Sequence, residues 1–109
     1  AVRRVNFTGS TAVGKIIAKR CAENLKPALL ELGGKAPLIV LEDADLDEAV
    51  LGVRQSAFSY AGQKCSACSR AIVLDDVHDA FLKRLVESTR SLVVGDPIDP
   101  MTDVGLGSV

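Results

Sequence analysis

The sequence predicts an α/β fold, and three observations carry that expectation. Short apolar runs alternate with longer stretches of helical periodicity, in the order β-α-β-β-α-β-α. Turn-forming Gly, Pro and Asp residues stand between them. Of the 109 residues, 48% are hydrophobic but only 4% aromatic, and Trp is absent, so any core must be aliphatic.

Val2 to Phe7 is a short run containing β-branched residues and reads as a buried strand. Thr8-Gly9-Ser10-Thr11 follows, with Ser10 or Thr11 as N-cap of a helix. Val13, Ile16, Ile17 and Cys21 recur along that helix to about Asn24, and Pro27 ends the unit. Ala28 to Leu32 reads as a strand broken by Gly33-Gly34, and Pro37 to Leu41 as a second buried one. Asp43 or Asp45 caps a second helix, with Leu46, Ala49, Val50, Val53, Ala57 and Tyr60 as its stripe. A small-residue turn, Gly62 to Ser69, leads to a strand from Arg70 to Leu74. A third helix starts at Asp75-Asp76, presents Val77, Phe81 and Leu85 with Leu82 and Val86, and ends near Leu92. Gly95-Asp96-Pro97 and Asp99-Pro100 read as turns. Gly33-Gly34 is the candidate hinge and domain boundary.

A net charge of -1 gives no electrostatic reason to expect a nucleic acid or a membrane surface as partner. No run approaches the roughly 20 apolar residues of a membrane span. The three cysteines are an odd number, and no secretory signal is visible, which points to a reducing, cytoplasmic compartment. Cys65 and Cys68 form a Cys-x-x-Cys pair. Zinc needs four ligands and only Cys21 and His78 remain, so no metal is expected. A redox dithiol is disfavoured because the pair does not open a helix after a strand. The chain opens without Met and stops at Gly105-Leu106-Gly107-Ser108-Val109, as a piece cut from a longer protein would.

Two side chains suggest chemistry. Cys65 lies in a turn at an element end, where a thiol can serve as nucleophile; the bland reading is a buried inert Cys. Glu31 ends an apolar strand against Gly33-Gly34. Partial burial between Leu30 and Leu32 would tune it to act as a base, although a lone acid there reads first as salt-bridged or hinge-exposed. Cys68 and Cys21 read as packing residues, His78 as solvent-facing, and Lys35 and Lys64 as solvated or structural. Gly9, Ser10 and Thr11 precede a helix whose free N–H groups would suit a phosphate, though any N-capped helix offers as much. No Gly-x-Gly-x-x-Gly fingerprint is present.

Phe7-Thr8-Gly9-Ser10-Thr11-x-x-Gly14, Leu30-Glu31-Leu32-Gly33-Gly34-Lys35-x-Pro37, Asp43-Ala44-Asp45-Leu46-Asp47 and Gly62-Gln63-x-Cys65 together resemble the aldehyde dehydrogenase superfamily in order and spacing. The resemblance covers essentially the whole chain. It implies a central segment of that fold: residues 1–34 as the end of a Rossmann-like cofactor domain and residues 35–109 as the start of an α/β catalytic domain. It implies oxidation of an aldehyde to a carboxylate with NAD or NADP, Cys65 as nucleophile and Glu31 as base. Gly9, Ser10, Leu32 and Gly33 are the implied cofactor contacts. The parent would be a homodimer or homotetramer acting on a small-molecule aldehyde, and the segment alone would be inactive and loosely packed. The run from Gly62 to Arg70 looks most like Δ1-pyrroline-5-carboxylate (glutamate semialdehyde) dehydrogenases, whereas Leu29 to Leu41 looks more like broad-specificity members. A coenzyme A-acylating enzyme and a non-catalytic scaffold on the same fold are the rivals. One departure is Leu106, where the family usually has Pro.

Overall fold

The structure, a computed structural model, describes residues 2–105. Leu106 lies outside the described residues. The chain divides into two compact units, Ala1–Gly34 and Lys35–Val109.

The first unit is a β-α-β motif. Strand β1 (Val5–Thr8), helix α1 (Thr11–Ala22) and strand β2 (Ala28–Glu31) follow in order, and β1 pairs with β2 in parallel from Val5↔Ala28 to Thr8↔Glu31. Parallel strands need a crossover between them, which α1 supplies. Ser10 caps α1, its Oγ accepting from the Val13 N–H at 3.3 Å, while Lys19 and Arg20 complement the dipole in the last turn. After α1 the Leu25 backbone turns left-handed (φ 51°) and the Lys26 N–H donates back to the Cys21 carbonyl, which directs the chain into Pro27 and β2.

Two expectations shift here. Strand β1 starts at Val5 rather than Val2. The face that α1 buries runs through Gly14, Ile17, Ala18 and Cys21; Val13 and Ile16, expected on it, are exposed. Gly14 accounts for the rotation. An added Cβ at that position would come within 2.7 Å of Leu32 Cδ2, so the helix lies against Leu32 along its glycine edge, one position round from the apolar stripe.

The second unit repeats the motif. Strand β3 (Ala36–Val40), helix α2 (Leu46–Phe58) and strand β4 (Cys68–Val73) are followed by helix α3 (Asp75–Arg90), with two short parallel strands, β5 (Val94–Gly95) and β6 (Val104–Gly105), at the end. Strands β3 and β4 pair in parallel, with a register shift between Ala36 and Pro37; Pro37 has no N–H to give to a ladder. Asp45 caps α2, one carboxylate oxygen accepting from Asp47 N–H at 2.9 Å and Glu48 N–H at 3.2 Å. Asp47 and Glu48 add negative charge beside the positive end of that dipole.

Val40, Val50, Val53 and Phe81 form the buried cluster of this unit, with Leu38, Ala49, Val73, Val77 and Leu85 packed around it. The strands alternate as a one-sided sheet does. Val40 is buried, while Ile39, Leu41, Ile72 and Leu74 point to the exposed face. Phe81 is the one large residue in the cluster, and aliphatic neighbours cannot collapse to refill its volume. Phe81→Ala is therefore expected to cost about 3–5 kcal/mol of unfolding free energy in urea titration. A loss below about 1 kcal/mol would show that Phe81 does not organise this core. The Arg84–Asp47 ion pair ties α3 to α2 at 2.7 Å but is solvent-exposed, so it adds under about 1 kcal/mol.

Helix α2 ends earlier than its stripe suggests. Tyr60, expected on that stripe, lies in a short turn (Ser59–Gly62) beyond the helix and is exposed. The break is at Ser59, whose backbone opens to ψ 141° while its N–H still bonds the Gln55 carbonyl. Strand β4 begins at Cys68, two residues before Arg70, and α3 ends at Arg90. Among the described residues no helix is long and apolar enough to cross a membrane.

Candidate active site

In the first unit, the parallel register sets Glu31 beside Thr8 at the carboxyl ends of both strands. The Gly9 N–H donates to the Glu31 carbonyl at 3.1 Å, which fastens the start of the Thr8–Ser10 loop to the end of β2. Gly9, Ser10 and Glu31 thus gather at one sheet edge. In open α/β sheets that edge is where ligands bind.

The N-terminus of α1 opens at the same edge. Its first N–H groups have no partner within the helix, and no acidic residue stands in its first turn. Gly9 and Ser10 are exposed, and a Cβ on Gly9 would lie 2.6 Å from Phe7 Cζ. The loop is therefore thin there and its backbone accessible, a fit for an anionic group approaching the helix end. Leu32 is half-buried, its side chain taken up against Gly14, which leaves its backbone as the part able to meet a ligand. Gly33 is exposed, with nothing within 4 Å of where a Cβ would stand.

The Glu31 carboxylate departs from expectation. Partial burial between Leu30 and Leu32 was the basis for tuning it as a base, yet Glu31 is exposed. The reason lies in the pleat. Helix α1 covers one face of a two-stranded sheet; Leu30 points toward that face and is half-buried, so Glu31 points away.

In the second unit Cys65 sits in a tight turn between α2 and β4, closed by the Ala67 N–H donating to the Lys64 carbonyl at 3.1 Å. Its thiol is free and exposed. The start of β4 is anchored by a bond that sequence patterns do not reveal: the Cys68 N–H donates to Ser56 Oγ at 3.1 Å, tying the end of the cysteine turn to α2. Cys68 is half-buried, with its thiol donating to the Arg70 carbonyl at 3.4 Å, and Cys21 is buried. Both therefore sit as packing residues. His78 is exposed and pairs with Asp79. A cleft of about 360 Å³ opens beside the turn, lined by Gln55, Ser56, Ser59, Lys64, Ser66 and Ala67. An exposed thiol on a turn held at both ends can meet an electrophilic carbon from solvent.

Comparison with known proteins shows the family. The sequence pattern of the aldehyde dehydrogenase family matches residues 1–106, and the chain belongs to that family. It is 53% identical over 105 residues to a vanillin dehydrogenase of Pseudomonas fluorescens, covering 96% of this chain and 22% of the relative. Among solved structures, PnpE in complex with nicotinamide adenine dinucleotide matches with TM-score 0.90 at 45% identity, over 94% of this chain and 21% of that one. A 3,6-anhydro-L-galactose dehydrogenase in complex with NAP matches with TM-score 0.91 at 41% identity, over 94% and 22%. The chain thus spans about a fifth of the length of these relatives.

Proposed function

We propose that this chain is the central segment of an NAD(P)-dependent aldehyde dehydrogenase that oxidises an aldehyde to a carboxylate. Residues 1–34 close its cofactor domain and residues 35–109 open its catalytic domain. The observation that supports this best is the free, exposed Cys65 thiol on a turn closed by the Lys64–Ala67 hydrogen bond, within a chain of that family. The thin Gly9-Ser10 loop at the α1 N-terminus suits the pyrophosphate of a dinucleotide, with Leu32 and Gly33 offering backbone to its nicotinamide end. When bound, that cofactor supplies the hydride acceptor.

The chain's own residues supply the rest. Cys65 attacks as thiolate, forming a carbon–sulfur bond to the aldehyde carbon and placing negative charge on the former carbonyl oxygen. Backbone N–H groups in the Gly62–Ser66 turn stabilise that charge. Loss of hydride from the same carbon leaves a thioester on Cys65. Glu31 then takes a proton from a water molecule as its oxygen adds to the thioester. The carbon–sulfur bond breaks, returning the Cys65 thiolate and releasing the carboxylate. An acid at position 31 favours water over coenzyme A as the acyl acceptor.

The full-length enzyme, given NAD or NADP and a panel of aldehydes that includes vanillin and glutamate semialdehyde, is expected to release reduced cofactor and free carboxylate in equal amounts. Accumulation of acyl-coenzyme A when that thiol is added would favour the acylating branch instead. Absence of cofactor reduction across the panel would favour a scaffold role.

A further inference from the structure

Three successive residues ahead of Cys65 hold left-handed backbone: Tyr60 at φ 54°, Ala61 at φ 54° and Gly62 at φ 71°. Glycine adopts this conformation freely. Tyrosine and alanine do not, and left-handed residues of ordinary type occur singly as a rule. Strained backbone of this kind persists only where its surroundings hold it.

The contacts that hold it are local. The Gln63 N–H closes the turn on the Tyr60 carbonyl at 3.0 Å. A Cβ on Gly62 would stand 3.0 Å from the Ala57 carbonyl oxygen, so the turn passes close over the end of α2. The Lys64 ammonium also lies 4.3 Å from the centre of the Tyr60 ring, but this contact is solvent-exposed and holds little. Ring burial does not retain the conformation, because Tyr60 is 75% exposed. What the left-handed turn does is reverse the chain as it leaves α2 and deliver it directly into the Lys64–Ala67 turn that carries Cys65.

We propose that Tyr60 and Ala61 are positioning residues for Cys65, and that their left-handed conformation sets the direction in which its thiol is presented. This inference rests on the reading of Cys65 as the nucleophile. The strain is kept because relaxing either residue to right-handed or extended backbone would swing the cysteine turn away from its present orientation. The residue type at position 60 then matters through the backbone it tolerates. The ring matters little.

Position 60 permits a clean test in the full-length enzyme, since its exposed side chain can be exchanged with little loss of packing. Tyr60→Asn and Tyr60→Val both remove the ring and its contact with Lys64. Asparagine visits the left-handed region readily, whereas a β-branched residue is an outlier there. Tyr60→Asn should keep kcat, and the rate at which iodoacetamide alkylates Cys65, within about twofold of the parent. Tyr60→Val should lower both about fivefold or more while KM stays within about twofold, the signature of lost positioning in place of lost binding. Should Tyr60→Val fail to fold, Tyr60→Ala replaces it, with an expected rate below that of Tyr60→Asn. Equal rates in the two variants, whether both parental or both reduced, would overturn the inference. A Cys65→Ala enzyme that still turns over would instead remove the reading beneath it.

Discussion

Cys65→Ala is expected to lower aldehyde-dependent cofactor reduction by roughly a thousandfold or more, the scale on which loss of a covalent nucleophile acts. The fold of this segment should be unaffected, because the Cys65 side chain is exposed in it. Unfolding by urea should therefore give the same midpoint for parent and variant. Cys21→Ala should behave in the opposite way, since that side chain is buried on the inner face of α1. Parental turnover by the Cys65→Ala enzyme would refute the nucleophile assignment, whatever else in the account survived.

Glu31→Gln is expected to have the second-largest effect, and a different one. In the proposed mechanism acylation needs Cys65 and the hydride acceptor, and only hydrolysis needs a base on water. The variant should thus give a rapid burst of reduced cofactor, about one per active site, followed by steady turnover slower by about a hundredfold or more. Rapid quenching would show this directly. A variant with no burst would place Glu31 before thioester formation. One with unchanged steady turnover would place the base elsewhere. The exposure of Glu31 makes the second outcome a real test, because the segment's own packing gives this carboxylate no desolvated pocket.

Much of the local structure was legible because it rests on short-range chemistry. Ser10 and Asp45 cap the helices that their spacing predicts, and the strand–helix order holds from β1 through α3. The misses share a cause: each depends on what a residue meets across the fold. Of the apolar positions expected on the inner face of α1, Ile17 and Cys21 lie there while Val13 and Ile16 do not, because the close approach of Leu32 needs a glycine and so selects Gly14. Tyr60 keeps helical spacing from Ala57, and nothing in its identity announces a left-handed turn. Ser56 belongs to no sequence motif, yet its hydroxyl anchors the start of β4 beside the cysteine turn. The base role expected of Glu31 assumes partial cover from its leucine neighbours, whereas the carboxylate stands exposed, as the plainer reading of a lone acid at a hinge has it. In a strand those neighbours point to the other face, so adjacency along the chain gives no cover.

The most direct test of the central claim is to trap the acyl group. Trypsin cleaves after Lys64 and Arg70, so Cys65 to Arg70 is released as one short peptide. The full-length Glu31→Gln enzyme, mixed with aldehyde and oxidised cofactor and quenched in acid during the burst, should yield that peptide heavier by the acyl group, with fragmentation locating it on Cys65. An acyl group on Cys68, or an unmodified peptide from an enzyme that has nonetheless reduced its cofactor, would contradict the account.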